Sequence, residues 1–222
     1  MLGYHFQWAV IWRYRDAFAD ALLLSSGLAA AALLIGTAAG LAVAYASLAK
    51  AKWVRLAALG YVELIRNTPL LLLVFFLYLV APELGFRLLG KFESFILALS
   101  VVSSAYLAEN FRASLGSIPV AYREAAKALA LSPLKTEFLV VLPIALRYSL
   151  PAVTNSLIAI FKDTSLASVI AIPELTFVAR EVETNYFRMI EAWTTVSGIY
   201  MVVCGALALQ SRWLERRLPK LS

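Results

Sequence analysis

The sequence predicts an all-α integral membrane protein of about five transmembrane helices with one polar, helical loop on the cytoplasmic side. Three observations carry this. Of 222 residues, 62% are hydrophobic and only 15% charged, whereas a soluble domain carries about 25% charged residues. Much of the surface must therefore face something other than water. The run 21–49 contains no charged residue and exceeds the roughly 17–25 apolar residues that cross a bilayer core as a helix. Further apolar runs follow it, separated by segments in which lysine and arginine cluster.

Taken in order, the spans are expected at 21–48, at 56–80 with Glu63 and Arg66 in its early part, and at 95–118 with Glu109 and Arg112. A fourth begins after Pro143 and meets Lys162 and Asp163, and a fifth covers 192–211. The first run starts too far in and is too long for a removable signal peptide, so it reads as a retained span. Counting lysine and arginine in the connections places twelve on one side, from Lys50, Lys52 and Arg55 through Arg112, Arg123, Lys127, Lys135 and Arg147 to Arg212, Arg216, Arg217 and Lys220. Six fall on the other: Arg13, Arg15, Arg87, Lys91, Arg180 and Arg188. Cytoplasmic connections carry the excess, which puts the N-terminus outside and the C-terminus inside. The layout is an N-terminal periplasmic or interfacial segment (1–20), a single transmembrane domain (21–211) with its loop at about 117–143, and a basic cytoplasmic tail (212–222). This topology accounts for the net charge of +6 without a nucleic-acid partner. Trp8, Trp12, Trp53, Trp193 and Trp213 all fall near span ends, where indole rings anchor at the interface.

Several chemistries are excluded. The single cysteine, Cys204, allows no disulfide or thiolate metal site within the chain, and the single histidine, His5, has no ligand partner at useful spacing. No GxxxxGK[ST], HExxH or GxSxG pattern occurs. No catalytic residue, bound cofactor or metal is expected, and the chain is not read as an enzyme.

The loop REAAKALALSPLKTEFLVVLP, 123–143, reads differently from its surroundings. Tyr122, Ala125, Ala126 and Leu129 share one helical face, with Arg123, Glu124 and Lys127 on the other sides. Ser132 followed by Pro133 is a start signal for a second helix, and Pro143 is expected to mark the turn into the next span. Two short helices joined by a turn result. An amphipathic helix lying on lipid headgroups is the alternative, but an alanine face offers little area for insertion. Alanines instead admit close approach by a protein partner, with Arg123, Glu124 and Lys127 at the rim.

Here the sequence resembles a family. Glu124-Ala125-Ala126, followed by Leu142-Pro143, resembles the EAA loop of ABC-importer permeases. ELIRNTPLLLLVFFLY (63–78), SAYLAENFRASLGSIP (104–119) and FKDTSLASVIAIPEL (161–175) are similar to segments of polar amino-acid importers, in family order. The resemblance implies a permease subunit of the histidine, glutamate, glutamine or arginine type in a bacterial inner membrane. It also implies partners: two copies of a cytoplasmic ATP-binding subunit that uses the ATP, a second permease that is the same chain or a sister, and an extracytoplasmic amino-acid-binding protein. ATPase docking falls on Arg123, Glu124, Ala125, Ala126, Lys127 and Ala130. Two departures are present. Val140 replaces a frequent isoleucine, and Ala130 stands where the family has glycine. Alanine disfavours a left-handed turn, so Ser132 and Pro133 are expected to shape the bend instead.

Ionisable residues at membrane depth pair, face the bundle interior or line a wet cavity. Glu63 with Arg66 and Glu109 with Arg112 are three apart and can form structural ion pairs. Asn155 and Lys162 are seven apart, as are Ser156 and Asp163, and Lys162-Asp163-Thr164 gathers both charge signs and a hydroxyl in an apolar stretch. A zwitterionic amino acid needs an acceptor for its ammonium group and donors for its carboxylate. Glu109, Asn155, Lys162, Asp163 and Thr164 are therefore the candidate substrate-pathway residues, with a Lys162–Asp163 brace as the alternative. A stand-alone ion-coupled carrier, which would show two related repeats, and an ABC permease for another small polar solute are the competing functions.

Overall fold

The computed structural model describes residues 4–85 and 90–217, all helix and connection among those residues. A short α1 (Trp8–Arg13) precedes α2 (Arg15–Ser47), then α3 (Lys52–Arg66), α4 (Leu70–Glu83), α5 (Lys91–Gly116), α6 (Val120–Ala128), α7 (Pro133–Ile170), α8 (Leu175–Tyr186) and α9 (Met189–Arg217). Among the described residues four helices are long and apolar enough to cross a membrane, and five spans result if α3 and α4 count as one broken span. Arg87, Lys220 and the end of the tail at 218–222 lie outside the described residues, as does the side chain of Arg217.

The second span is not one continuous helix. α3 stops at Arg66 and α4 starts at Leu70 because Pro69 cannot donate to a preceding carbonyl and its ring disfavours helical backbone at Thr68. The side chains before it bond back to the last turn of α3: Asn67 Nδ2 donates to Glu63 O at 2.7 Å and Thr68 Oγ1 to Leu64 O at 2.8 Å.

The fourth span begins earlier than its sequence signals suggest. α7 starts at Pro133, with Ser132 Oγ accepting from Lys135 N, and continues through Pro143 into the segment Leu142–Asp163. Pro143 does not mark a turn. The chain widens into a π-type turn over Glu137–Val141 just before it, and α4 does the same over Phe76–Val80 just before Pro82. In both cases the proline follows the widened turn by two residues. Shifting the hydrogen-bond register there removes the need for the N–H that proline lacks.

By contacts the chain divides into two compact units. One comprises 1–32, 70–99 and 157–208, and the other 33–69, 100–156 and 209–222. The core of the latter gathers Ala44, Leu107, Phe111, Leu115, Ile118, Val141 and Ala145, with Tyr45, Tyr122 and Tyr148 packed against it. It depends on close approach of α2 to α5. A Cβ on Gly40 would lie 2.9 Å from Ser104 O and 3.1 Å from Ala108 N, and one on Gly36 would meet Ser103 Oγ. Gly36 and Gly40 thus form a small-residue stripe that lets two helix backbones meet. Because the obstructing atoms at Gly40 are two backbone atoms and the Leu107 Cβ, which cannot swing away, Gly40→Ala is expected to destabilise the protein by about 1–3 kcal/mol through overpacking. Gly27→Ala, whose Cβ meets nothing, is the matched control in denaturant unfolding of the detergent-solubilised chain.

In the first-named unit, the segment before α1 is tied to the start of α9. Gln7 N donates to Glu191 Oε1 at 2.8 Å, Tyr4 Oη hydrogen-bonds the other carboxylate oxygen, and Arg188 donates to His5 O at 2.9 Å. Trp8 and Trp12 are exposed, as interfacial anchors should be. Trp193 is half-buried and its Nε1 donates to Glu183 at 2.8 Å.

Candidate docking loop and embedded polar positions

The loop helix α6 is amphipathic, but its alanine face divides. Tyr122 and Ala126 turn inward, Ala126 being only 3% exposed, whereas Glu124, Ala125, Lys127, Ala128 and Leu129 are open. Leu129, at 76% exposure, is the largest apolar side chain on the open face. Arg123 is directed to an internal partner rather than to the rim. Its guanidinium donates to Glu137 Oε2 at 2.7 Å, and Tyr45 Oη donates to Glu137 Oε1 at 3.0 Å. One carboxylate therefore braces α6, α7 and α2 within one unit. Sequence reading passed over Glu137 because its partners lie 14 and 92 residues away.

Ala130 corrects a second expectation. It adopts the left-handed conformation, with φ of 54°, despite its Cβ. Leu131 N reaches back to Ala126 O at 3.1 Å and Ala130 N to Lys127 O at 2.9 Å, so the turn satisfies carbonyls that the helix end would leave open. Those bonds offset a left-handed penalty of about 1–2 kcal/mol. Ala130→Gly is accordingly expected to stabilise the loop by about 1 kcal/mol, seen as slower hydrogen exchange at the Leu131 amide.

The embedded charges separate into distinct arrangements. Arg112 Nε donates to Glu109 at 3.0 Å and the pair makes a second, shorter contact. Glu63 and Arg66 do not pair, contrary to expectation. Arg66 instead lies over the Tyr106 ring, 5.3 Å from its centroid, and Glu63 receives Asn67. A cation held over an aromatic face keeps its stem on the helix while its head stays near the polar edge.

The helix Leu142–Asp163 is continuous, so the seven-residue spacings within it are helical ones. Lys162 is exposed and Asp163 half-buried, and they form no ion pair among the described residues. Adjacent residues on a helix point in different directions, so the brace reading fails. Among the described residues no donor is hydrogen-bonded to Asp163. Thr164 is fully buried and its hydroxyl donates to Phe161 O at 2.7 Å. It therefore shapes the end of the helix rather than offering a free hydroxyl. Glu109 and Asn155 belong to one compact unit and Lys162, Asp163 and Thr164 to the other. Asn155 is exposed.

Membrane-length helices joined by a braced polar helix with one open face define a multi-pass integral membrane protein. The chain belongs to the family of binding-protein-dependent transport system inner membrane components, whose description it matches over residues 16–220. It is 34% identical over 214 residues to the glutamine transport system permease protein GlnP of Escherichia coli K12, covering 96% of this chain and 98% of that one. It is 35% identical over 188 residues to the L-cystine transport system permease protein TcyB of Bacillus subtilis, covering 84% and 80%. Among solved structures, an amino acid ABC transporter with histidines aligns with a TM-score of 0.88 at 29% identity, over 97% of this chain and all of that one. The MetNI methionine ABC transporter aligns at 0.74 and 18% identity, over 97% of this chain and all of that one, and shares the fold.

Proposed function

We propose that this chain forms the translocation path for a polar amino acid in an ATP-driven importer, and that a separate ATPase docks on the loop at about 117–143. The observation that carries the reading is the division of α6. One face is fastened through Arg123, Glu137 and Tyr45, and the opposite face, with Glu124, Ala125 and Leu129, is left open. A helix braced in that way transmits a push on its open face to the helices that hold it. Relatives named for glutamine and cystine support the substrate class. Two ATP-binding subunits, a second permease and an extracytoplasmic binding protein complete the proposed assembly. The excess of lysine and arginine favours an outside N-terminus and a cytoplasmic loop.

Asp163 is the proposed acceptor for the substrate's ammonium group, because a half-buried carboxylate without a bonded donor has its acceptor positions open. Asn155, Lys162 and Glu109 are further pathway candidates, each to be tested singly. The experiment for the whole reading is gentle extraction of the tagged chain from its native membrane. A P-loop ATPase recovered with it, and labelled L-glutamine uptake that requires ATP after reconstitution, are the expected results. A chain that comes out alone and moves substrate without ATP would be an ion-coupled carrier.

A further inference from the structure

The fourth span has two unlike sides. On one, Val141 and Ala145 are buried in the core beside α2 and α5, and Ile144, Tyr148 and Val153 pack against it. Arg147, Pro151 and Asn155 follow one another every four residues and so form a separate row along the helix. Arg147 and Asn155 are exposed, and neither side chain is hydrogen-bonded or ion-paired among the described residues. Pro151 has no N–H, so the Arg147 carbonyl lacks its usual helical donor. All three residues belong to one compact unit.

Residues 148–161 carry no charge, and Asn155 stands at the middle of that stretch. The hydroxyls around it are satisfied by their own helix. Ser149 Oγ donates to Leu146 O, Thr154 Oγ1 to Leu150 O and Ser156 Oγ to Ala152 O, each at 2.9 Å. Side chains bonded in that way are compatible with lipid. The Asn155 amide, with two donors and an acceptor, makes no such bond, and hydrocarbon supplies none. A guanidinium near the end of a span can reach the interface on its own stem. Asn155, two turns deeper on the same row, cannot.

We propose that the row from Arg147 to Asn155 is a water-lined wall within the membrane, and that Arg147 takes the substrate's carboxylate there. Water or a solute supplies the partners that Asn155 lacks within the chain. No acidic residue occurs in 138–162, so the row attracts anions, and a guanidinium matches a carboxylate through paired N–H donors. The carboxylate assignment rests on the reading of the chain as an amino-acid path, whereas the wet wall does not.

The test is thiol labelling of the assembled complex in lipid nanodiscs, in a Cys204→Ala background. Asn155→Cys is expected to react with water-soluble methanethiosulfonates, while Val202→Cys, at a position 71% exposed in the apolar part of α9, stays unlabelled. Relative to a free thiol, the anionic ethylsulfonate reagent is expected to react at N155C about three- to tenfold faster than the cationic ethylammonium one. The cause is attraction to Arg147, about 12 Å away along the helix. Arg147→Gln is expected to abolish that preference and to lower ATP-dependent uptake of L-glutamine by about tenfold or more. Labelling of N155C no faster than V202C would overturn the wet wall. No preference while Arg147 is in place, as when a lipid phosphate neutralises it, or uptake unchanged in Arg147→Gln, would overturn the carboxylate site. If Arg147→Gln fails to assemble, the reagent preference with Arg147 in place still decides. Labelling needs no transport, so a chain that proved not to be an importer would still pass or fail it.

Discussion

Ala125→Trp is expected to abolish recovery of the ATPase with the permease while leaving the membrane fold intact. Ala125 is open on α6, so an indole there meets only what docks on that face. Loss of one well-packed contact region costs about 2 kcal/mol at an interface hot spot, roughly a thirtyfold drop in affinity. The informative comparison is Ala126→Trp. Ala126 sits on the inner side of the same helix at 3% exposure, and a tryptophan forced into that space is expected to destabilise the protein through overpacking. Quantitative co-purification, with thermal unfolding of each variant in detergent, separates the two. Equal ATPase recovery from Ala125→Trp and wild type would remove the open face of α6 as the docking surface.

Asp163→Asn is expected to lower ATP-dependent uptake of labelled L-glutamine by about 10–100-fold, the loss of a hydrogen bond to a charged group, with ATPase recovery unchanged. The substitution keeps the shape of the side chain and removes its charge, so an ammonium group would lose its counter-charge without loss of packing. Lys162→Met is expected to have a much smaller effect, because Lys162 is exposed and does not pair with Asp163. Unchanged uptake in Asp163→Asn would remove Asp163 as the ammonium site.

The two readings differ in how far the sequence could take them. The helical loop was legible because its cues are local. A helical period, a serine before a proline and a charge pattern act over a few residues, and the Ser132 cap stands where those cues put it. The internal fastening was not legible, since Arg123 meets Glu137 and Glu137 meets Tyr45 only when three helices converge. Likewise the spacing that suggests a Glu63–Arg66 pair is a real helical spacing, but the Tyr106 ring on another helix is the better partner for Arg66. One missed signal was present in the sequence. Gly36 and Gly40, four apart in an apolar run, are the mark of close helix contact.

Proline shows the same boundary. From the sequence Pro143 is a break, and Pro69 sits within an otherwise acceptable span. In the structure α7 passes through Pro143 and the second span is broken at Pro69. The difference lies in what surrounds each ring. A π-type turn ahead of Pro143 moves the hydrogen-bond register, whereas Asn67 and Thr68 cap the carbonyls before Pro69 and so stabilise an end.

Composition and periodicity by themselves determined that the chain is helical, crosses a membrane several times and carries one polar helical loop, because hydrocarbon allows only apolar, internally hydrogen-bonded segments. Tertiary structure alone decided which alanine of α6 is core and which is open, and where Arg66 and Arg123 find partners. Each of those outcomes is a choice among partners distant in sequence. Such a choice is settled by which groups packing brings within hydrogen-bond reach.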